Sequence, residues 1–202
     1  MRFNNRIVNF GDTPLTAHLS DDQLMESYVL AGDNRHLAVC RPCKARFDEL
    51  VRTLPPQRAA AIVHGDYRLD NTIVADDGNI VAVLDWEICT LGDPLADVGL
   101  LLVYWGEEGD SLLPLFEPAT MAPGFPSRTD VRERYAERSG RDLAEIDFFV
   151  ALGYWKLAII LEGVYARYAG GQYGKTDEGF EEFARIVERL AQAADQAADR
   201  LK

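Results

Sequence analysis

Basic residues are scarce in this chain: 21 lysines and arginines stand against 33 aspartates and glutamates, giving a formal net charge of −12 over 202 residues. That balance repels a nucleic-acid backbone and anionic lipid head groups at long range, so neither nucleic acid nor a membrane surface is an expected partner. Cysteine is also sparse. Cys40, Cys43 and Cys89 make an odd set of three, and the N-terminal MRFNNRIVNFGD carries no apolar run of the signal-peptide kind. Neither a disulfide framework nor export is indicated, and a cytoplasmic location is the expectation. The CRPC stretch has C-x-x-C spacing, but no second pair exists and Cys89, His64 or His36 would have to complete a zinc site, so none is expected. Long hydrophobic runs are missing too. The most apolar stretch, VALGYWKLAIILEGV at 150–164, contains Lys156 and Glu162, is too short to cross a bilayer, and reads as a buried helix. There is no internal repeat and no low-complexity tract.

What remains fits one globular domain, with 48% hydrophobic residues. Residues 1–40 show turn signals at FGD and AGDN but no sustained period. From Arg41 to Leu54 the spacing of Phe47, Leu50, Val51 and Leu54 predicts one face of a helix, which the LPP that follows stops. AAAIVHG reads as a short buried strand, residues 65–71 as a polar loop, and the β-branched runs around Asp77-Gly78 as a hairpin spanning Asn71 to Asp85. Its pairing sets Asn71 and Asp85 side by side at the open end. Asp93 as N-cap and Pro94 at the first position start the next helix. Ser127 with Asp130 three residues later starts another that stops at Gly140. A long apolar helix ends at Gly170-Gly171, and a last one runs from about Thr176.

The stretch IVHGDYRLDNTIV at 62–74 holds more polar residues than a bend requires. A magnesium ion takes hard oxygen ligands, usually one or two of them from protein, and Asn71 and Asp85 supply an amide oxygen and a carboxylate. Asp66 then lies near the metal without ligating it, where a base belongs, so the arrangement points to phosphoryl transfer. Each residue also has a plainer role. His-Gly-Asp is common in turns, Asp85 suits a strand end, and Asp93 suits a helix cap. Asp70 suits a solvated loop. Arg68 suits either a phosphate or Asp70, and Glu87 either a second metal site or a substrate.

HGDYRLDN followed by VLDWE resembles the catalytic loop and metal-binding aspartate of the aminoglycoside phosphotransferase family, relatives of the protein kinases. GDPLADVGLLLVYW is similar to the segment that follows in the subgroup related to the kinase-like domain of acyl-CoA dehydrogenase fusion proteins, and the likeness extends to about residue 170. The resemblance implies an α+β fold: a protein-kinase-like C-terminal lobe over 61–202, mainly helical with a small β-hairpin at the catalytic loop. Residues 1–60 would then be a short segment with one helix and no recognisable ATP-gripping lobe. It implies Asp66 as the base toward a substrate hydroxyl, His64 and Asp97 as supports of the loop, and Asn71 and Asp85 as ligands of Mg²⁺ with ATP. The implied acceptor is a hydroxylated small molecule, of the aminoglycoside, amino alcohol, sugar or hydroxyacyl kind. Its pocket is expected along the helices after residue 127, where Tyr154, Trp155, Glu162 and Tyr165 mix aromatic surface with a charge, although an aromatic stripe at that spacing equally suits a helix core.

The sequence departs from the kinase plan before the loop. It has no G-x-G-x-x-G run there, and Lys44, the only lysine before the loop, lies in a helical stretch. A homodimer, or a partner supplying the missing lobe, is one expectation; a non-catalytic kinase-like module that binds a nucleotide or a protein is the alternative to an enzyme. Metal-dependent phosphate ester hydrolysis ranks behind both, because too few ligands for two metals are in view.

Overall fold

The computed structural model describes residues 26–29, 36–39, 50–110, 118–169 and 180–201, with 26–29, 36–39, 162–169 and 180–184 described by backbone alone. Strands β1 (Glu26–Val29) and β2 (His36–Val39) precede a helix, α1, of which residues 50–52 are described. Next come β3 (Ala61–Val63), β4 (Thr72–Val74), β5 (Ile80–Val83) and β6 (Thr90–Gly92). The helices α2 (Leu95–Tyr104), α3 (Arg128–Ser139), α4 (Ile146–Ala169) and α5 (Phe180–Ala198) complete the order. Among the described residues the strands pair two by two, β1 with β2, β3 with β6 and β4 with β5, each antiparallel.

The hairpin β4–β5 forms where its corner residues demand it. Gly78 takes a φ of 82°, its N–H donates to Ala75 O, and the Asp77 carboxylate accepts the N–H of Asn79. Thr72 faces Val83, and Leu84 N–H donates to Asn71 O at 2.8 Å. Asn71 is thus paired with Leu84, and Asp85 falls one residue beyond it rather than beside it.

Local chemistry also sets the helix ends. Asp93 Oδ1 accepts the N–H of Leu95 at 3.0 Å, while Pro94, at φ −60°, has no N–H to satisfy. Ser127 and Asp130 form a reciprocal capping box for α3, and Gly140 ends that helix in the left-handed region at φ 66°.

Helices α2, α4 and α5 enclose the core, with Leu102, Val103, Ala151 and Leu190 at 1% exposure or less. On α5 the buried Ile186, Leu190, Ala193, Ala194 and Ala197 fall on one helical stripe. The approach of α2 to α4 is close because glycine permits it. A Cβ on Gly99 would lie 2.5 Å from the Phe149 carbonyl carbon, and one on Gly153 would lie 3.0 Å from Val103 Cγ2.

Several details differ from the sequence reading. Only 50–52 of the first predicted helix fall among the described residues as helix, and they turn Leu50 inward while Val51 and Leu54 are exposed. Phe47 and the rest of the predicted helix before Leu50 lie outside the described residues. The pairs β1–β2 and β3–β6 were not anticipated, and Thr176 and Gly170-Gly171 lie outside the described residues. Large apolar side chains stay exposed on the small sheets, among them Ile62, Leu91, Val81 and Val74. Among the described residues no helix is long and apolar enough to cross a membrane.

Candidate active site

Strand β3 ends in a histidine, a glycine and an aspartate whose backbone is held from several directions. Gly65 has φ +87°, and a Cβ there would sit 3.2 Å from Ile88 O and 3.3 Å from the Ile88 side chain, so both conformation and space call for glycine. Asp97, in the first turn of α2, accepts the N–H of His64 through Oδ2 at 2.7 Å and that of Gly65 through Oδ1 at 2.8 Å. One carboxylate thereby satisfies two consecutive donors that no strand partner reaches.

His64 is buried, with 2% exposure. Its Nδ1 accepts the N–H of Asp66 at 3.2 Å, and its Nε2 lies 2.6 Å from Leu84 O. A backbone N–H only donates and a carbonyl only accepts, so the ring is assigned the neutral tautomer with its proton on Nε2. The imidazole therefore ties the loop of Asp66 to the strand end that precedes Asp85. Trp86 packs against its face at a centroid distance of 4.7 Å.

Asn71 is buried at the start of the hairpin, and its Nδ2 donates to Asp66 O at 2.8 Å and to Asp66 Oδ2 at 3.2 Å. The amide thereby fixes the carboxylate and directs its own carbonyl oxygen elsewhere. Asp85 is exposed, is the only non-glycine at positive φ among the described residues (φ 65°), and makes no side-chain capping bond. A left-handed backbone turns its carboxylate out of the strand line. The two oxygen donors are of the type a hard divalent cation takes, and among the described residues no group of three or more His, Cys, Asp or Glu side chains is placed to hold a metal ion. Glu87 is exposed on the 3-10 turn Trp86–Ile88.

Around Asp66 the charges interlock. Arg68 Nε lies 3.6 Å from Asp66 Oδ2, and its Nη1 lies 3.2 Å from Asp70 Oδ2. The guanidinium also stands over the Tyr104 ring, 5.2 Å from the centroid. Burial pushes the Tyr104 phenol up to about 12, reinforced by the negative charge of Asp66 and a hydrogen bond to it. Lys156, from the middle of α4, donates through Nζ to Gly65 O. Burial holds its ammonium below the ordinary lysine range, while the carboxylates of Asp66 and Asp97 oppose that shift.

Tyr104 and Lys156 were not singled out from the sequence. Each sits inside an apolar helix pattern, and only their long-range partners distinguish them. Residues proposed as an acceptor pocket lie differently. Tyr154, two residues from Lys156 and so nearly opposite it on the helix, is buried beside Arg128 in a cavity of about 20 Å³, too small for an acceptor. Trp155 packs against the core, and the side chains of Glu162 and Tyr165 lie outside the described residues. Cys89 is a free, exposed thiol, both ring nitrogens of His64 are engaged, and Cys40, Cys43 and Lys44 lie outside the described residues.

A glycine-pinned loop carrying Asp66 and Asn71 is set against the helices by an aspartate and followed by a hairpin that ends just before Asp85, within a kinase-like phosphotransferase fold. The chain belongs to the phosphotransferase enzyme family (APH), whose sequence model matches residues 7–149. A solved chain from Ralstonia eutropha JMP134, provisionally assigned as an aminoglycoside phosphotransferase, superposes with a TM-score of 0.62 at 27% identity. That match covers 79% of this chain and 49% of the other. Acyl-CoA dehydrogenase family member 11 of Gallus gallus is 34% identical over 160 residues, and the human protein of that name is 33% identical over 159. Family member 10 of Mus musculus is 34% identical over 147 residues, covering 70% of this chain and 13% of the relative. The chain spans about 20% of the length of the family member 11 relatives, while 75% of it is matched.

Proposed function

We propose that this chain is an ATP- and Mg²⁺-dependent phosphotransferase that moves the γ-phosphoryl group to a hydroxyl of a small molecule. The observation that carries the reading is the fixing of Asp66. Its N–H is held by His64, its carbonyl and carboxylate by Asn71, and the N–H groups of the two residues before it by Asp97. A carboxylate held in one direction is suited to accept the proton of an incoming hydroxyl as its oxygen attacks phosphorus. Asn71 Oδ1 and the Asp85 carboxylate would hold the magnesium ion, which neutralises phosphate oxygens when bound. Arg68 balances the carboxylates of Asp66 and Asp70.

Calorimetric titration with ATP, with and without Mg²⁺ and with Asp85→Ala as control, tests the nucleotide half of this reading. Metal-dependent heat that disappears in the control is the expected result. Asp66→Asn should abolish turnover and leave binding of Mg²⁺·ATP intact. Equal loss of binding in both variants would refute the division of roles. A second reading, a kinase-like module without catalysis, draws on the lack of a G-x-G-x-x-G run ahead of the loop. Binding without turnover in a screen of hydroxylated acceptors would favour it. Among acceptor classes, the family member 10 and 11 relatives direct the first screen to hydroxylated acyl compounds.

A further inference from the structure

Gly65 is gripped at both ends of its own residue. Its N–H is taken by Asp97, which lies two positions before Gly99; its carbonyl is taken by Lys156, which lies three positions after Gly153. These glycines mark the close approach of α2 and α4, so the helix crossing itself brings the carboxylate and the ammonium to the same peptide. The peptide that leaves Gly65 carries the N–H of Asp66, which His64 receives. Fixing the Gly65 carbonyl therefore fixes the plane of the peptide from which Asp66 departs. With no Cβ at Gly65 and a left-handed φ, side-chain packing contributes little to that plane, and hydrogen bonds set it.

A lysine so placed is not a helix-surface charge. It is half-buried, and the carboxylates facing it are Asp66 on the loop and Asp97 on α2. We propose that Lys156 is a positioning residue for the phosphoryl-transfer step. From α4 it holds the Gly65 carbonyl and so aims Asp66, without touching nucleotide or acceptor. This inference rests on the assignment of Asp66 as the base.

The test compares wild type, Lys156→Met and Lys156→Arg by two independent measurements. Hydrogen exchange is followed in peptides covering residues 62–71, together with peptides from α2 and α4. Mg²⁺·ATP hydrolysis with water as acceptor gives kcat and KM, and calorimetry gives the affinity for Mg²⁺·ATP. In Lys156→Met, exchange should rise roughly tenfold in the loop alone, as expected for loss of one charge-assisted hydrogen bond. Turnover should fall on the order of 10²-fold, the scale of an ångström-level misplacement, with KM and affinity for Mg²⁺·ATP unchanged. Lys156→Arg, which keeps the charge and the donors, should restore loop protection and part of kcat. Loop exchange equal to wild type in Lys156→Met overturns the proposal. So does an increase spread evenly over α2 and α4 with no recovery in Lys156→Arg, since that marks general loosening of the core. Absence in wild type of both hydrolysis and transfer to any hydroxylated acceptor would instead defeat the phosphotransferase reading, while the exchange data still decide whether Lys156 holds the loop.

Discussion

Replacing Asp97 by Asn exchanges two oxygens for one oxygen and one amide nitrogen, at nearly constant shape. In the native protein both oxygens accept, from His64 N–H at 2.7 Å and Gly65 N–H at 2.8 Å. The asparagine accepts one of these, and its NH₂ group meets the other donor head on. A hydrogen bond to a charged acceptor contributes about 1.5–3 kcal/mol, and an orphaned buried donor costs about 1–3 kcal/mol. The two losses overlap, because the bond broken and the donor stranded are the same N–H, so the net destabilisation is roughly 2–4 kcal/mol. Lys156 also loses one of the two carboxylates that favour its charge. Urea unfolding followed by tryptophan fluorescence measures the change as a shift of midpoint at constant slope. A loss below about 1 kcal/mol would show that the carboxylate is not what fixes the loop, and the account of Asp66 would fail with it.

Three other outcomes follow from the structure. Gly99→Ala should cost about 2–3 kcal/mol, because the new methyl meets the Phe149 backbone at 2.5 Å and no rotamer change relieves it; thermal unfolding checks this. Ser127→Ala should lower stability by about 1 kcal/mol through loss of the α3 cap, read from the same unfolding curves. The Tyr104 phenol, raised to about 12 when folded, keeps its proton where the unfolded chain has lost it. Stability should therefore fall as pH rises from about 10 toward 12, and Tyr104→Phe should remove that slope in unfolding free energies measured across the range.

The parts legible in the sequence are those written in neighbouring residues. Asp77-Gly78 fixes a corner, and Ser127 with Asp130 and Gly140 bracket a helix, because each rule acts over one to four positions. The strands Glu26–Val29, His36–Val39 and Thr90–Gly92 escaped because three or four residues are too few to show alternation. Simple pairing sets Asp85 beside Asn71, whereas the register of Thr72 with Val83 pairs Asn71 with Leu84 and leaves Asp85 one residue beyond. Gly99 and Gly153 look like defects inside helices until the facing helix is known. Lys156 looks like an interruption of an apolar run. Its partner is 91 residues away, and a contact of that span leaves no local mark.

That same span constrains the order in which the molecule can be assembled. Strand β3 and its glycine emerge from the ribosome well before α2, and α4 follows only after α3. Asp97 lies 33 positions after His64, and Lys156 lies 91 positions after Gly65. The loop that bears Asp66 can therefore reach its final form only once two separate helices have docked, and the entropy of closing both loops falls on that step. The hairpin between Thr72 and Val83 has no such dependence and can form early from adjacent residues. A nascent or truncated chain that ends before α4 would thus hold the sequence of the site and its hairpin, yet leave the Gly65 carbonyl without its lysine.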